Sequence, residues 1–176
     1  AVLAIHTAFK NQQLVQLQDF FAKKTYKQMV VQVNSANWKE LYEPDKFKCD
    51  FAQVPEPVWK IFFSLEFRTL VQQLTGTTLK KKPVCVLTSF GKGQYTLLHD
   101  KPQHTSGIWF GFELTQTWKN SWGGFSSITK KGKEIGRILP VRNSLTLVQL
   151  SKQTSMFVKY LNHSAKNKRV FLSGIV

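Results

Sequence analysis

The sequence predicts an α+β fold. Helices come first, an all-β half of jelly-roll type follows, and the N-terminal helices pack on its outside. Three observations predict this. Apolar residues make up 42% of the 176 residues, with 14 Phe and 5 Trp, which is enough for a real core and too many for a disordered chain. Helical spacing is confined to the first part of the chain. From Pro83 onward, short apolar runs recur between Gly, Asn, Ser and Lys clusters, the texture of a sandwich or barrel.

Taken in order, Asn11 to Lys24 places Leu14, Leu17, Phe20 and Phe21 at helical spacing and predicts an amphipathic helix. Tyr26 to Val33 is β-branched and alternating, which predicts a strand. Trp38 to Pro57 carries three prolines and scattered charges and predicts a loop. Val58 to Leu74 predicts a second helix, stopped by Thr75-Gly76. Then VCVLTSF, QYTLLH, IWFGFEL, GFSSI, SLTLVQL, SMFVKYL and RVFLSGIV recur at strand spacing. Helices packed outside a jelly roll satisfy this plan. It divides residues 1–176 into one domain, with a helical or mixed support region over about 1–80 and a β core over about 83–176.

Composition also limits function. No apolar run reaches the roughly 20 residues of a membrane span. The start, AVLAIHTAF, is short and lacks a basic leader, so it does not predict a signal peptide. Cys49 and Cys85 are the only cysteines. They make no disulfide framework, and the expectation is an intracellular protein, cytoplasmic or organellar. Lys and Arg number 25 against 10 Asp and Glu, a net charge of +15. Such a surface attracts polyanions, so the expected partners are RNA, a ribonucleoprotein or an acidic protein. The bland alternative is a charge that only serves solubility. Oligomeric state is not legible.

GKGQYTLLHDK resembles the first metal-binding strand of 2-oxoglutarate/Fe(II) oxygenases, where a Gly/Tyr stretch leads into His-x-Asp. Trp118 with Trp122-Gly123-Gly124-Phe125 resembles the W…GG turn of the prolyl-hydroxylase branch. Leu139-Pro140 with Asn143-Ser144-Leu145 resembles its P…N-x-L strand, and Lys168 to Gly174 its closing strand. Upstream, Glu66-Phe67 and Leu74-Thr75-Gly76 are similar to the segment before the β core. The chain thus looks closest to the branch that hydroxylates a ribosomal-protein proline. The resemblance implies a cupin-like double-stranded β-helix. In an active member, two His and one carboxylate would bind Fe(II), and 2-oxoglutarate would chelate the metal while a basic residue holds its far carboxylate.

This chain departs from that pattern. His99 stands at the first His position, Lys101 where the Asp belongs, and Phe157 where the distal His belongs. One imidazole holds Fe(II) poorly against water, and an ammonium repels the cation. The expectation is therefore a vestigial metal site with no confident catalytic residue and no cofactor. If the chain is active, its cofactors are Fe(II) and 2-oxoglutarate. Asp100, His104 or His163 remain as replacement ligands, although Asp100 should face away from His99 on a strand, and surface histidine is the simpler reading of the other two.

Arg169 keeps the position for 2-oxoglutarate. It either grips a dicarboxylate or phosphate or serves as a structural ion-pair partner. Tyr95 either lines the same pocket or simply packs. Trp109, Trp118 and Trp122 read as core or rim aromatics. The nucleic-acid candidates are Lys80-Lys81-Lys82 before the β core, Lys130, Lys131 and Lys133 in a predicted hairpin turn, and Lys168 near the end. No RNP or KH signature is present. Three functions are therefore carried forward: a degenerate oxygenase used as a binding module, an active hydroxylase with a rearranged metal site, and a dicarboxylate or phosphate sensor.

Overall fold

A computed structural model describes residues 1–79, 84–97 and 106–176. Its helices are α1 (Val2–Gln12), α2 (Lys23–Asn34), α3 (Glu56–Phe63) and α4 (Leu65–Thr75). Its strands are β1 (Leu14–Leu17), β2 (Lys39–Glu43), β3 (Phe47–Ala52), β4 (Val84–Phe90), β5 (Tyr95–Thr96), β6 (Gly107–Glu113), β7 (Ser126–Lys130), β8 (Lys133–Ile138), β9 (Leu145–Leu150), β10 (Thr154–Val158) and β11 (Arg169–Ile175). The large sheet runs β1-β9-β6-β11-β4-β3-β2, with β5 also paired to β3. The small sheet runs β10-β7-β8.

Two apolar clusters show how these layers stack. One joins the helices to the large sheet through residues such as Met29, Phe62, Val71, Leu87, Phe112 and Leu172. The other lies on the opposite face, against the small sheet, and includes Phe90, Trp109, Trp122, Ile128, Val148 and Phe171. Strand alternation explains the split. Within β11, Leu172 faces the helices, while Arg169 and Phe171 face the small sheet.

The N-terminal quarter departs from the sequence reading. The helix expected over Asn11 to Lys24 is interrupted. Helix α1 ends at Gln13, whose φ of 58° is left-handed, and β1 then adds to the sheet as its edge strand by pairing with β9, Leu14 opposite Val148. Edge pairing overrides the helical spacing there. The strand expected over Tyr26 to Val33 is helix α2. Tyr26, Met29 and Val33 are its buried residues, and their spacing of three and four is helical. Val30 and Val31 supplied the misleading β-branched signal. The loop expected over Trp38 to Pro57 contains the hairpin of β2 and β3, with Lys39 opposite Phe51.

The expected second helix is two helices broken at Ser64. That hydroxyl accepts a hydrogen bond from the Phe67 amide at 3.1 Å and so caps α4. Gly76 ends α4 at φ 69°, its amide bonding to the Gln72 carbonyl, as the sequence indicated. The Lys130 to Lys133 turn is a tight hairpin between β7 and β8. Lys131 and Gly132 have φ of 52° and 77°, the geometry of a two-residue primed turn.

Candidate functional site

The space between the two sheets is where the resemblance places the reactive site. Arg169 lies at the start of β11 and is 1% exposed. It forms an ion pair with Glu113 at the end of β6. Arg169 Nη2 donates to Glu113 Oε2 at 3.0 Å and Nε to the same oxygen at 3.2 Å. Its Nη1 donates to the Gly124 carbonyl and to Ser126 Oγ, both at 2.8 Å. Phe171 stacks beneath the guanidinium, 4.5 Å from its centre. Thr115 Oγ1 donates to Glu113 Oε1. Burial pushes the Glu113 carboxyl upward, while the charge and hydrogen bonds of Arg169 and the Thr115 hydroxyl oppose that rise.

Two readings of Arg169 were open from the sequence, and the geometry found is the ion pair. Glu113 was the residue the sequence reading missed. Its signal was present in IWFGFEL, where a carboxylate falls on the same alternating face as Trp109 in an otherwise apolar strand. The Gly-Gly turn is built for the same network. A Cβ on Gly124 would fall 2.0 Å from Leu161 Cδ1, at φ 67°, so only glycine lets the Gly124 carbonyl reach Arg169.

Beside this network is a cavity of about 240 Å³. Phe157, Phe90, Trp109, Phe171, Thr88 and Ser126 are among its lining residues. Ser126 and Phe171 both touch Arg169, yet Arg169 itself is not part of the wall. Phe157 occupies the wall from β10, with the Lys159 amine 5.5 Å above its ring.

The other predicted residues are scattered. His99, Asp100, Lys101 and His104 lie outside the described residues, as do Lys80, Lys81 and Lys82. Tyr95 is not on the cavity wall; its ring packs 6.4 Å from that of Tyr160. His163 is exposed, with Nε2 hydrogen-bonded to Tyr160 Oη at 2.8 Å. Trp109 and Trp122 are buried, and Trp118 packs edge-on against Trp122. Lys131 and Lys133 sit at the β7–β8 turn, where Lys130 reaches Gln13. Lys168 instead pairs with Asp50 at 2.8 Å. Burial pushes the Cys49 thiol up to about 11 and the Cys85 thiol to about 12, which makes both poor nucleophiles. No described helix is long and apolar enough to cross a membrane.

Two facing sheets with an interior Arg on the closing strand define a double-stranded β-helix of the 2-oxoglutarate/Fe(II) oxygenase type. Solved structures share this fold. A Pseudomonas putida prolyl-4-hydroxylase superposes with a TM-score of 0.74 at 13% identity, covering 99% of this chain and 97% of that one. A Trichoplax adhaerens prolyl hydroxylase, solved with a hypoxia-inducible-factor peptide, gives 0.77 at 12% identity, covering 99% and 87%. The chain belongs to the family described as "Oxoglutarate and iron-dependent oxygenase degradation C-term", whose model matches residues 48–174. Prolyl 3-hydroxylase OGFOD1 of Mus musculus is 34% identical over 97 residues, 52% of this chain and 18% of the mouse protein. Its Xenopus laevis counterpart is 30% identical over 113 residues, 58% of this chain and 22% of that protein. The matches thus span about a fifth of the length of these relatives.

These relatives correct one expectation. The substitutions at Lys101 and Phe157 led to the expectation of no cofactor, but the homologues are oxygenases that use Fe(II) and 2-oxoglutarate. Among the described residues, the cavity lining contains no His, Cys, Asp or Glu, and no group of three or more such residues occurs; His99, Asp100 and His104 lie outside them.

Proposed function

We propose that this chain is a catalytically degenerate member of its family, a jelly-roll module that acts by binding. The observation that carries this reading is the Arg169–Glu113 pair. The resemblance assigns that guanidinium to the far carboxylate of 2-oxoglutarate. Here a carboxylate of the chain itself takes that role, with two further acceptors and an aromatic face completing the shell. A guanidinium so enclosed in a dry interior gives up its partner only at high cost. The rival readings, an active prolyl hydroxylase with a rearranged metal site and a sensor gripping an anion through Arg169, both require that pair to open.

Supplied with Fe(II), 2-oxoglutarate and oxygen, the chain is expected to release no succinate above the protein-free rate. Stoichiometric or faster succinate release would overturn the reading. The charge of +15 favours an anionic partner, with RNA foremost. Affinity for a single-stranded RNA oligonucleotide should fall steeply as salt rises, and a flat response removes RNA from the reading.

A further inference from the structure

On the helix-covered face of the large sheet, across β4 and β11 from Arg169, lies a second cavity of about 300 Å³. Its apolar walls include Val30 and Val33 of α2, Trp38, Leu114 and Val170. Ser89 also lines it, is 2% exposed, and has a hydroxyl with no hydrogen-bond partner among the described residues. A buried hydroxyl left unpaired is uncommon and calls for an explanation.

Three carboxamides from three separate segments, Asn34, Gln116 and Asn167, also line it, with Thr115 and Lys168. Gln116 donates through Nε2 to Tyr26 Oη and the Leu114 carbonyl, and Asn167 through Nδ2 to the Thr117 carbonyl. Their oxygens are left as acceptors, and Asn34 has neither end engaged among the described residues. The one cation among the described lining residues, Lys168, is already paired with Asp50. The cavity therefore offers branched apolar walls and neutral hydrogen-bonding groups, with its charge compensated.

We infer that this cavity is a peptide-docking site that takes one branched aliphatic side chain from an extended segment. The carboxamides and the Ser89 hydroxyl bond the flanking peptide groups. A peptide suits this lining because it presents N–H and C=O groups on both sides of an apolar anchor. A free anion does not, since its charge would find no uncompensated cation. The site opens on the other face of the sheet from Arg169 and meets that network only at Thr115, whose hydroxyl bonds Glu113; the proposal does not rest on the degenerate reading.

The test is an NMR titration, following the methyl signals of Val30, Val33, Leu114 and Val170. The probes are three capped tripeptides, Ac-Gly-Leu-Gly-NH2, Ac-Gly-Glu-Gly-NH2 and Ac-Gly-Gly-Gly-NH2. The leucine peptide is expected to give saturable shifts with a dissociation constant in the millimolar range, and the other two at least roughly tenfold weaker binding. Val30→Trp, which fills the cavity from a half-buried position, should abolish the shifts. Asn34→Ala, on the exposed rim, should weaken binding while leaving the fold intact. Absence of saturable shifts from the leucine peptide overturns the proposal. So does equal binding of all three peptides, or unchanged binding in both variants.

Discussion

The two faces of the large sheet, at β4 and β11, use polar groups in opposite ways. On the inner face, Arg169 bonds Glu113 and Ser126, Thr115 reaches Glu113 from the boundary between the faces, and the neighbouring cavity is walled largely by aromatic rings and hydroxyls. On the outer face, Ser89 and three carboxamides surround a hollow and keep bonding capacity free. Strands one residue out of phase carry both sides: Ser89 against Phe90, Val170 against Phe171, Leu114 against Glu113. Each face of the sheet can therefore carry its own arrangement of polar groups, because alternation lets each face change independently.

The largest effect should come from the inner face. Arg169→Met leaves the Glu113 carboxylate buried without its partner and should cost about 3–5 kcal/mol in urea unfolding. A loss under about 1 kcal/mol, typical of an exposed ion pair, would erase the distinction between the faces. Gly124→Ala should follow, since its new methyl meets Leu161 and its carbonyl is an Arg169 acceptor. The expected loss is about 1–3 kcal/mol, read by thermal or urea unfolding.

Asn143 anchors the approach to the outer helices. Its Nδ2 donates to the Phe21 carbonyl at 2.8 Å, and its Oδ1 accepts from the Phe21 amide at 3.1 Å. Asn143→Ala should cost about 1–3 kcal/mol through unpaired backbone groups, measured the same way. Tyr26, on α2, gives the outer side a pH signature. Burial raises its phenol from 10.0 to about 12. The unfolded chain loses that proton first, so stability is full below pH 10 and declines as pH rises towards 12. The urea midpoint should fall across that window, and Tyr26→Phe should flatten the fall. The smallest effect should be Ser89→Ala. Removing a hydroxyl that has no partner should leave stability unchanged or raise it by up to about 1 kcal/mol. A loss beyond about 1 kcal/mol would mean that the hydroxyl is bonded after all.

The β half was legible because its strands are short, apolar and punctuated by Gly, Asn and Lys. The turn at Lys131-Gly132 and the stop at Gly76 carried local chemistry that no tertiary contact had to supply. The N-terminal part misled because its patterns were decided by distant partners. Leu14 to Leu17 became a strand by pairing with β9, and Val30 and Val31 accompany a helical stripe formed by Tyr26, Met29 and Val33. Strand β8, rich in charge, gave no apolar run to follow. At the inner site, the motif order located Arg169 and Phe157. The identity of Arg169's partner needed the pairing of β6 with β11, which places Glu113 opposite Phe171 and within reach of the guanidinium.

The claim on which this account rests is that Arg169 and Glu113 answer each other within the fold. A double-mutant cycle measures that directly, with Arg169→Met, Glu113→Leu and the double variant compared by urea unfolding. Each single change should be strongly destabilising, and the double should cost clearly less than the two together, by about 1–3 kcal/mol of coupling. Additive losses, with no coupling between the two positions, would contradict it.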